Sequence, residues 1–375
     1  MSELEILERK TIYRDGEYAT FPCMARLKDG RMVCAFRHAK ERQAQYGIHT
    51  HIDPTAKGVF VVSDDDGKTF DPTLHLIVDD EMSDQDPCIN VLSTGRIIVT
   101  YFRWDLCPIG EGEQKWGKEP FKQYGRTLWE KYDCFPDGAC YSISDDDGET
   151  WKHYPPFRME NVPQGAGVRG NIVELPNGEL LLPFYGSLRV GELSRSGLMI
   201  SRDWGETWQY LSTMAFDPKC KKNFLEPFVY RTPSGKLVGL FRTQTDWRRP
   251  LVKFADTYLN LHIAVSEDNG RTFGEVQEIK NLWGSSPFHA AALEDGRVLL
   301  TYGYRRKPFG VRARLCDAEL EHIAESEEII LCDDAPNGDL GYPHTIICKD
   351  GTPLVSYYIS GDDGIRKIEA VSLKI

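Results

Sequence analysis

Apolar and polar positions alternate along this chain in short runs broken by turns, with no sustained helical period. Six segments share one pattern: FPCMARLKDGRMVCAFR from Phe21, DPCINVLSTGRIIVTYFR from Asp86, RGNIVELPNGELLLPFYG from Arg169, EPFVYRTPSGKLVGLFR from Glu226, PFHAAALEDGRVLLTYG from Pro287 and YPHTIICKDGTPLVSYY from Tyr342. Each reads as an apolar strand, a tight turn ending in Gly and a second apolar strand. They recur about every sixty residues, near the length of a four-stranded propeller blade. A second motif follows the first four hairpins: SDDDGKTF from Ser63, SDDDGETW from Ser144, SRDWGETW from Ser201 and SEDNGRTF from Ser266. Its Asp can accept turn N–H groups, its Gly can take a positive φ, and its Thr and aromatic restart a strand. Asp65, Asp146, Asp203 and Asp268 are therefore expected to staple turns. A calcium loop would need alternating carboxylates over a longer span and a closing Glu, which none of the four supplies. The fifth blade carries only a degenerate turn, CDAELEHI from Cys316, and the sixth stops one strand short after IRKIEAVSLKI. The N-terminal ELEILERKTIY can supply that strand and cover the open edges. The pattern predicts an all-β chain: a six-bladed β-propeller of four-stranded antiparallel blades, one domain over residues 1–375, with an insertion in blade two at about 104–140.

Charge and cysteine usage narrow the partners. With 57 acidic against 45 basic residues the net charge is -12, which argues against nucleic acid or an anionic membrane as partner. The N-terminal stretch has no apolar leader segment, and no apolar run reaches membrane-spanning length, so the expected location is cytoplasmic. The ten Cys include no CxxC pair of the zinc type and are expected to be thiols, with Cys23, Cys88 and Cys348 as small core residues.

The innermost strand of a propeller blade faces the axis, so residues at its start form the floor of a ligand site. Eight positions before the residue that precedes each turn Gly stand Phe21, Asp86, Arg169, Glu226, Pro287 and Tyr342. Two positions further come Cys23, Cys88, Asn171, Phe228, His289 (with one extra residue in blade five) and His344. A polar ring can simply line a hydrated channel, but acid, base and phenol meeting at one layer favour a site, because desolvated charges are costly unless paired or used. Arg37, Arg103, Arg242 and Arg305 end the second strands, where several guanidinium forks suit a carboxylate, although a single arginine more often ends in a rim salt bridge. In HAKERQAQYGIHTHIDPTAKG, His49, His51 and Asp53 alternate and share one side of an extended segment. They read as a general acid with two substrate-binding imidazoles or, joined by His289 or His344, as a metal site. The first is the simpler use, so no cofactor is expected. The blade-two insertion, with KWGKEPFKQYGRTLWEKY, reads as a lid over the pocket or as a contact between subunits of a homo-oligomer.

The Asp-box hairpins, with YFRW, HTHIDP, TYGYRR and GDLGYP, resemble over nearly the whole chain the sialidase (neuraminidase) superfamily of BNR-repeat propellers and its sialidase-like bacterial hydrolases. The resemblance implies a Tyr nucleophile with a Glu partner, matched by Tyr342 and Glu226, and an Asp acid/base on a first-blade loop, matched by Asp53. It also implies three arginines that hold a carboxylate. The chain departs there: Thr20 stands in ATFPCM where the first arginine belongs, and His262 replaces the one before the fourth Asp box. The reading that follows is an exo-acting glycoside hydrolase for a small anionic oligosaccharide bearing a sialic, uronic or other keto-sugar acid. Its substrate-binding set is Arg37, His49, His51, Asp86, Arg103, Arg169, Arg242, His289, Arg305 and His344. A uronide lyase using a His and Tyr342, and a carbohydrate-binding propeller without turnover, are the alternatives.

Overall fold

A computed structural model describes residues 4–47, 51–157, 166–188, 192–245, 257–284 and 286–375. Each predicted hairpin forms the inner half of one sheet, and the six sheets are the blades. Blade one runs Tyr18–Arg26, Met32–Ala39, Lys57–Ser63 and Asp71–Val78, and blade four runs Lys222–Arg231, Leu237–Thr245, Asn260–Ser266 and Gln277–Trp283. Blade six consists of Gly341–Ile347, Pro353–Ser360 and Arg366–Lys374, completed at its outer edge by the N-terminal strand Glu5–Tyr13, which pairs antiparallel with Arg366–Lys374. The ring is thus closed by hydrogen bonds between the two ends of the chain, and the edge that the last strand would expose is covered.

All four Asp boxes make the same bonds. In the first, Ser63 Oγ donates to Asp65, whose carboxylate also accepts the Thr69 N–H at 2.8 Å and the Thr69 hydroxyl at 2.7 Å. Gly67 N donates back to Ser63 Oγ. Desolvation is the largest single influence on Asp65, but these donors together outweigh it and hold the carboxyl down at about 2. The closing aromatics Phe70, Trp151, Trp208 and Phe273 each pack against the apolar layer between two neighbouring blades. The degenerate fifth turn keeps the principle: Asp317 accepts backbone N–H groups from Glu319, Glu321 and His322.

In blade two the second strand, Ile97–Pro108, and the third, Tyr132–Ser144, run on past the sheet as a long hairpin. Between them lie two short helices, Gly112–Trp116 and Lys118–Tyr124, and a short strand, Arg126–Leu128. Trp116 stacks on Phe121 and Phe135, which fixes the insertion to its own blade. Among the described residues no helix is long and apolar enough to cross a membrane.

Candidate functional site

Four of the six floor positions share one backbone irregularity. Phe21, Asp86, Glu226 and Tyr342 have φ of 61°, 51°, 44° and 54°, each at a break in the inner-strand register and each followed by Pro. A positive φ in a bulky residue ahead of Pro is strained, by about 1–3 kcal/mol each. The strand bulges there, and the side chain is turned out of the alternation and into the channel. Tight packing on both sides holds the bulge, since all four residues are buried.

This geometry brings Tyr342 and Glu226 together from blades six and four. The phenol donates to Glu226 Oε1 at 2.5 Å, and Arg242 Nη1 donates to Glu226 Oε2 at 2.6 Å and to the Tyr342 oxygen at 3.3 Å. Burial first, and then the Glu226 charge, raise Tyr342 well above the ordinary phenol range, so the resting phenol is neutral. Two guanidiniums approach its ring, Arg169 at 5.1 Å and Arg305 at 5.6 Å from the centroid. Burial likewise raises Asp86 well above the usual carboxyl range, with the Glu226 charge adding to the effect against the pull of Arg169 and Arg37. Its Oδ1 is buried without a hydrogen-bond partner among the described residues.

A cavity of about 710 Å³ opens over this floor. Tyr342, Glu226, Asp86 and Phe21 form its base, Tyr185 and Asn223 one wall, and His51 with Gln85 another. Gln123, Tyr124, Gly125 and Arg126 bring the blade-two insertion to the same cavity, with the Arg126 guanidinium over the Trp104 ring. The insertion thus contributes to the cavity lining. Beneath the floor a cavity of only about 20 Å³ is lined by Arg169, Cys23, Cys88, His289 and His344.

The predicted binding residues separate accordingly. His51 lines the main cavity, whereas His289 and His344 lie below the floor with rings 4.0 Å apart, their Nδ1 atoms accepting the N–H groups of Thr345 and Met24. Burial, assisted by the Arg169 charge, pushes His289 down to about 3, so it stays neutral. Arg169 also sits below, donating to the carbonyls of Pro22 and Tyr342. Arg103 lies outside the lining, bound to Asp80 and Asp137. Arg37, Arg242 and Arg305 stand directly behind the lining. Arg242 and Arg305 share the Tyr258 hydroxyl at 3.2 and 3.3 Å. Burial opposes ionisation of Tyr258, yet the two guanidiniums bring it below the ordinary phenol range. Arg37 is fully buried, donates to the His51 carbonyl at 2.7 Å and leaves Nε and Nη1 without hydrogen-bond partners among the described residues. Its cross-strand neighbour is Thr20, so a guanidinium absent from one strand is present on the adjacent one.

Asp53 is 1% exposed and is not among the lining residues. Its oxygens accept from Arg42 at 2.9 Å and from the N–H and hydroxyl of Thr55, so the carboxylate serves the frame of its own loop rather than the cavity. His51 and Asp53 hold different partners, and among the described residues no group of three or more His, Cys, Asp or Glu is placed to hold a metal ion. His49 lies outside the described residues. The hairpin pattern had no means of selecting Tyr258, Tyr185 or Asp339. Only Asp339 left a trace, three residues before Tyr342 in GDLGYP.

Residues 129–355 match the BNR repeat-like domain family. Over 100% of both chains the protein is similar, at 32% identity and a TM-score of 0.86, to a crystal structure of a protein of unknown function from Dyadobacter fermentans. It shares its fold with the NanB sialidase of Streptococcus pneumoniae, at 15% identity over 98% of this chain and 70% of that one with a TM-score of 0.63. The same holds for an α-L-arabinanase of Penicillium chrysogenum complexed with arabinobiose, at 14% identity over 99% and 98% with a TM-score of 0.66. No curated protein matches the sequence.

Proposed function

Because the chain belongs to the BNR repeat-like domain family and carries a phenol–carboxylate pair on its cavity floor, we propose that it is a sialidase-like, exo-acting glycoside hydrolase for a small anionic sugar acid. The observation that carries this reading is the 2.5 Å hydrogen bond from Tyr342 to Glu226, with Arg242 on the other carboxylate oxygen. Glu226 takes the phenolic proton as the Tyr342 oxygen bonds to the anomeric carbon. Arg242, within 3.3 Å of that oxygen, disperses the charge that develops on it. A neutral phenol is not repelled by an anionic substrate, as a carboxylate nucleophile would be. The anionic character of the substrate is supported by charge balance. Arg37, Arg169, Arg242, Arg305 and Arg366 surround the floor and its margin, against the carboxyl groups of Glu226, Asp339 and Asp86, the last raised by burial well above the usual carboxyl range. A desolvated excess of guanidinium charge favours an incoming carboxylate. The closed floor fits attack at a chain end.

The test is product release from a panel of sialosides, uronides and neutral aryl glycosides, followed by chromatography. Release of an acidic monosaccharide from sialosides or uronides is expected. Inactivity of a well-folded preparation on the whole panel overturns the proposal. An unsaturated uronide absorbing in the ultraviolet would assign lyase chemistry instead, and calorimetric binding without product would assign a binding propeller.

A further inference from the structure

The hydrolase reading needs a proton donor for the departing oxygen, and Asp53 is turned to its own loop. We propose that His51 is that donor, a catalytic acid/base held in place by Asp339; the inference rests on the hydrolase reading. His51 lines the cavity, and its Nε2 is 3.3 Å from Asp339 Oδ1. Asp339 comes from the connection between blades five and six. It is itself fixed by the hydroxyls of Tyr358 at 2.7 Å and Tyr18 at 2.8 Å and by Arg366 at 2.8 Å. The backbone of His51 is pinned from the opposite side, its carbonyl accepting from Arg37 and from the Gln85 side chain. An aspartate on one imidazole nitrogen sets the ring orientation, leaving Nδ1, which has no hydrogen-bond partner among the described residues, to exchange a proton with a ligand.

Position supports the assignment. The Phe21 ring contacts both reacting groups, 5.0 Å from the His51 ring and 4.6 Å from the Tyr342 ring, and all three line the same sugar-sized space. The His51 side chain is 41% exposed, whereas Tyr342 is 4% exposed and Glu226 7%. The sugar ring therefore sits over the phenol and the leaving group points outward past the imidazole. Asp86, which burial raises well above the usual carboxyl range, is 4% exposed on the floor, where it serves a ring substituent rather than the leaving oxygen. In the first step the Tyr342 oxygen bonds to the anomeric carbon, Glu226 takes the phenolic proton, the glycosidic C–O bond breaks and His51 Nδ1 gives its proton to the leaving alcohol. In the second step neutral His51 removes a proton from water, the water oxygen replaces Tyr342 on the sugar and Glu226 returns the phenolic proton. The sum is hydrolysis, with every group restored.

A donor to the leaving oxygen matters most when that oxygen is basic. Turnover of wild type, His51→Ala and Asp86→Asn should be compared on phenyl and 4-nitrophenyl glycosides of whichever sugar acid the panel identifies. For His51→Ala we expect kcat to fall about 100-fold or more on the phenyl glycoside and less than about 10-fold on the nitrophenyl one, with part of the loss restored by added formate or azide. Asp339→Asn should show a weaker version of the same leaving-group dependence, because it loosens the imidazole without removing it. Equal losses on both glycosides, or leaving-group dependence in Asp86→Asn instead, overturn the assignment to His51 while leaving the hydrolase reading intact. Wild-type inactivity on the panel overturns both.

Discussion

At the scale of single residues, a hydroxyl can be separated from the ring that carries it. Tyr342→Phe keeps the packing against Phe21 and removes only the group bonded to Glu226. Turnover should fall at least about 1000-fold, while stability changes by about 1–3 kcal/mol for the lost bond and the carboxylate oxygen left behind. Steady-state kinetics with thermal melts measure both, and a variant that keeps most of the wild-type rate would remove Tyr342 from the chemistry. Asp84 offers a test of electrostatics away from the site. It is 1% exposed, both its oxygens lack hydrogen-bond partners among the described residues, and its cross-strand neighbour Arg103 donates to Asp80 and Asp137 instead. Burial, reinforced by the Asp80 charge, raises it well above the usual carboxyl range. The native state therefore holds this proton above about pH 4, where the unfolded chain releases it, and stability falls as pH rises through that window. Asp84→Asn should raise the melting temperature at pH 8 and change it little at pH 4. An equal shift at both values would mean that Asp84 is ionised in the fold.

The Asp box joins one element to the next, and its glycine shows how. Gly67 has φ +80°, and a Cβ there would lie 2.7 Å from Leu354 Cδ2 and 2.9 Å from Met32 Sδ, atoms of blades six and one. Gly364 has the same φ with nothing within 4 Å. Gly364→Ala should thus cost only the backbone penalty, about 1–2 kcal/mol, and Gly67→Ala more, because the packing between blades must also move. Comparing the two by chemical denaturation separates conformation from packing, and equal losses would mean that the interface yields without cost. The inner-strand bulge is the other element-scale device. It converts a regular strand start into a residue aimed down the axis, and the Pro after each bulged residue gives up an N–H that the broken register does not need.

For the whole molecule, the decisive contact is the one that closes the ring. Strand Glu5–Tyr13 buries Ile12 and Tyr13 in the layer between blades six and one, and Arg9 bonds Glu369 and Asp334. Removing residues 1–13 leaves the Arg366–Lys374 edge unpaired. We expect a markedly lower melting temperature and association through that edge, read by light scattering. A truncated chain with unchanged association state and unchanged melting would show that five complete blades and one short one suffice. Since Tyr342 comes from blade six and Glu226 from blade four, loss of closure should also abolish turnover.

The sequence by itself determined the blade count, the hairpins, the turn staples and the strand that closes the ring. Each of these depends on local chemistry: alternation of apolar residues, a Gly at a positive φ, an Asp within reach of the next N–H groups. It also determined that Tyr342, Glu226 and Asp86 hold equivalent places on inner strands, because the count back from each turn is a property of one hairpin. Only the tertiary structure decided which of these face one another. Asp53 and His51 sit two residues apart and read in the sequence as acid/base and substrate-binding imidazole, yet Arg42 and Thr55 take the first, while Asp339, 288 residues away, takes the second. Arg37 and Arg103 end equivalent strands, yet one lies behind the cavity wall and the other is bound in a carboxylate pair. Such outcomes depend on partners brought by other blades, and a pairing across the ring leaves no periodicity in the chain from which to read it.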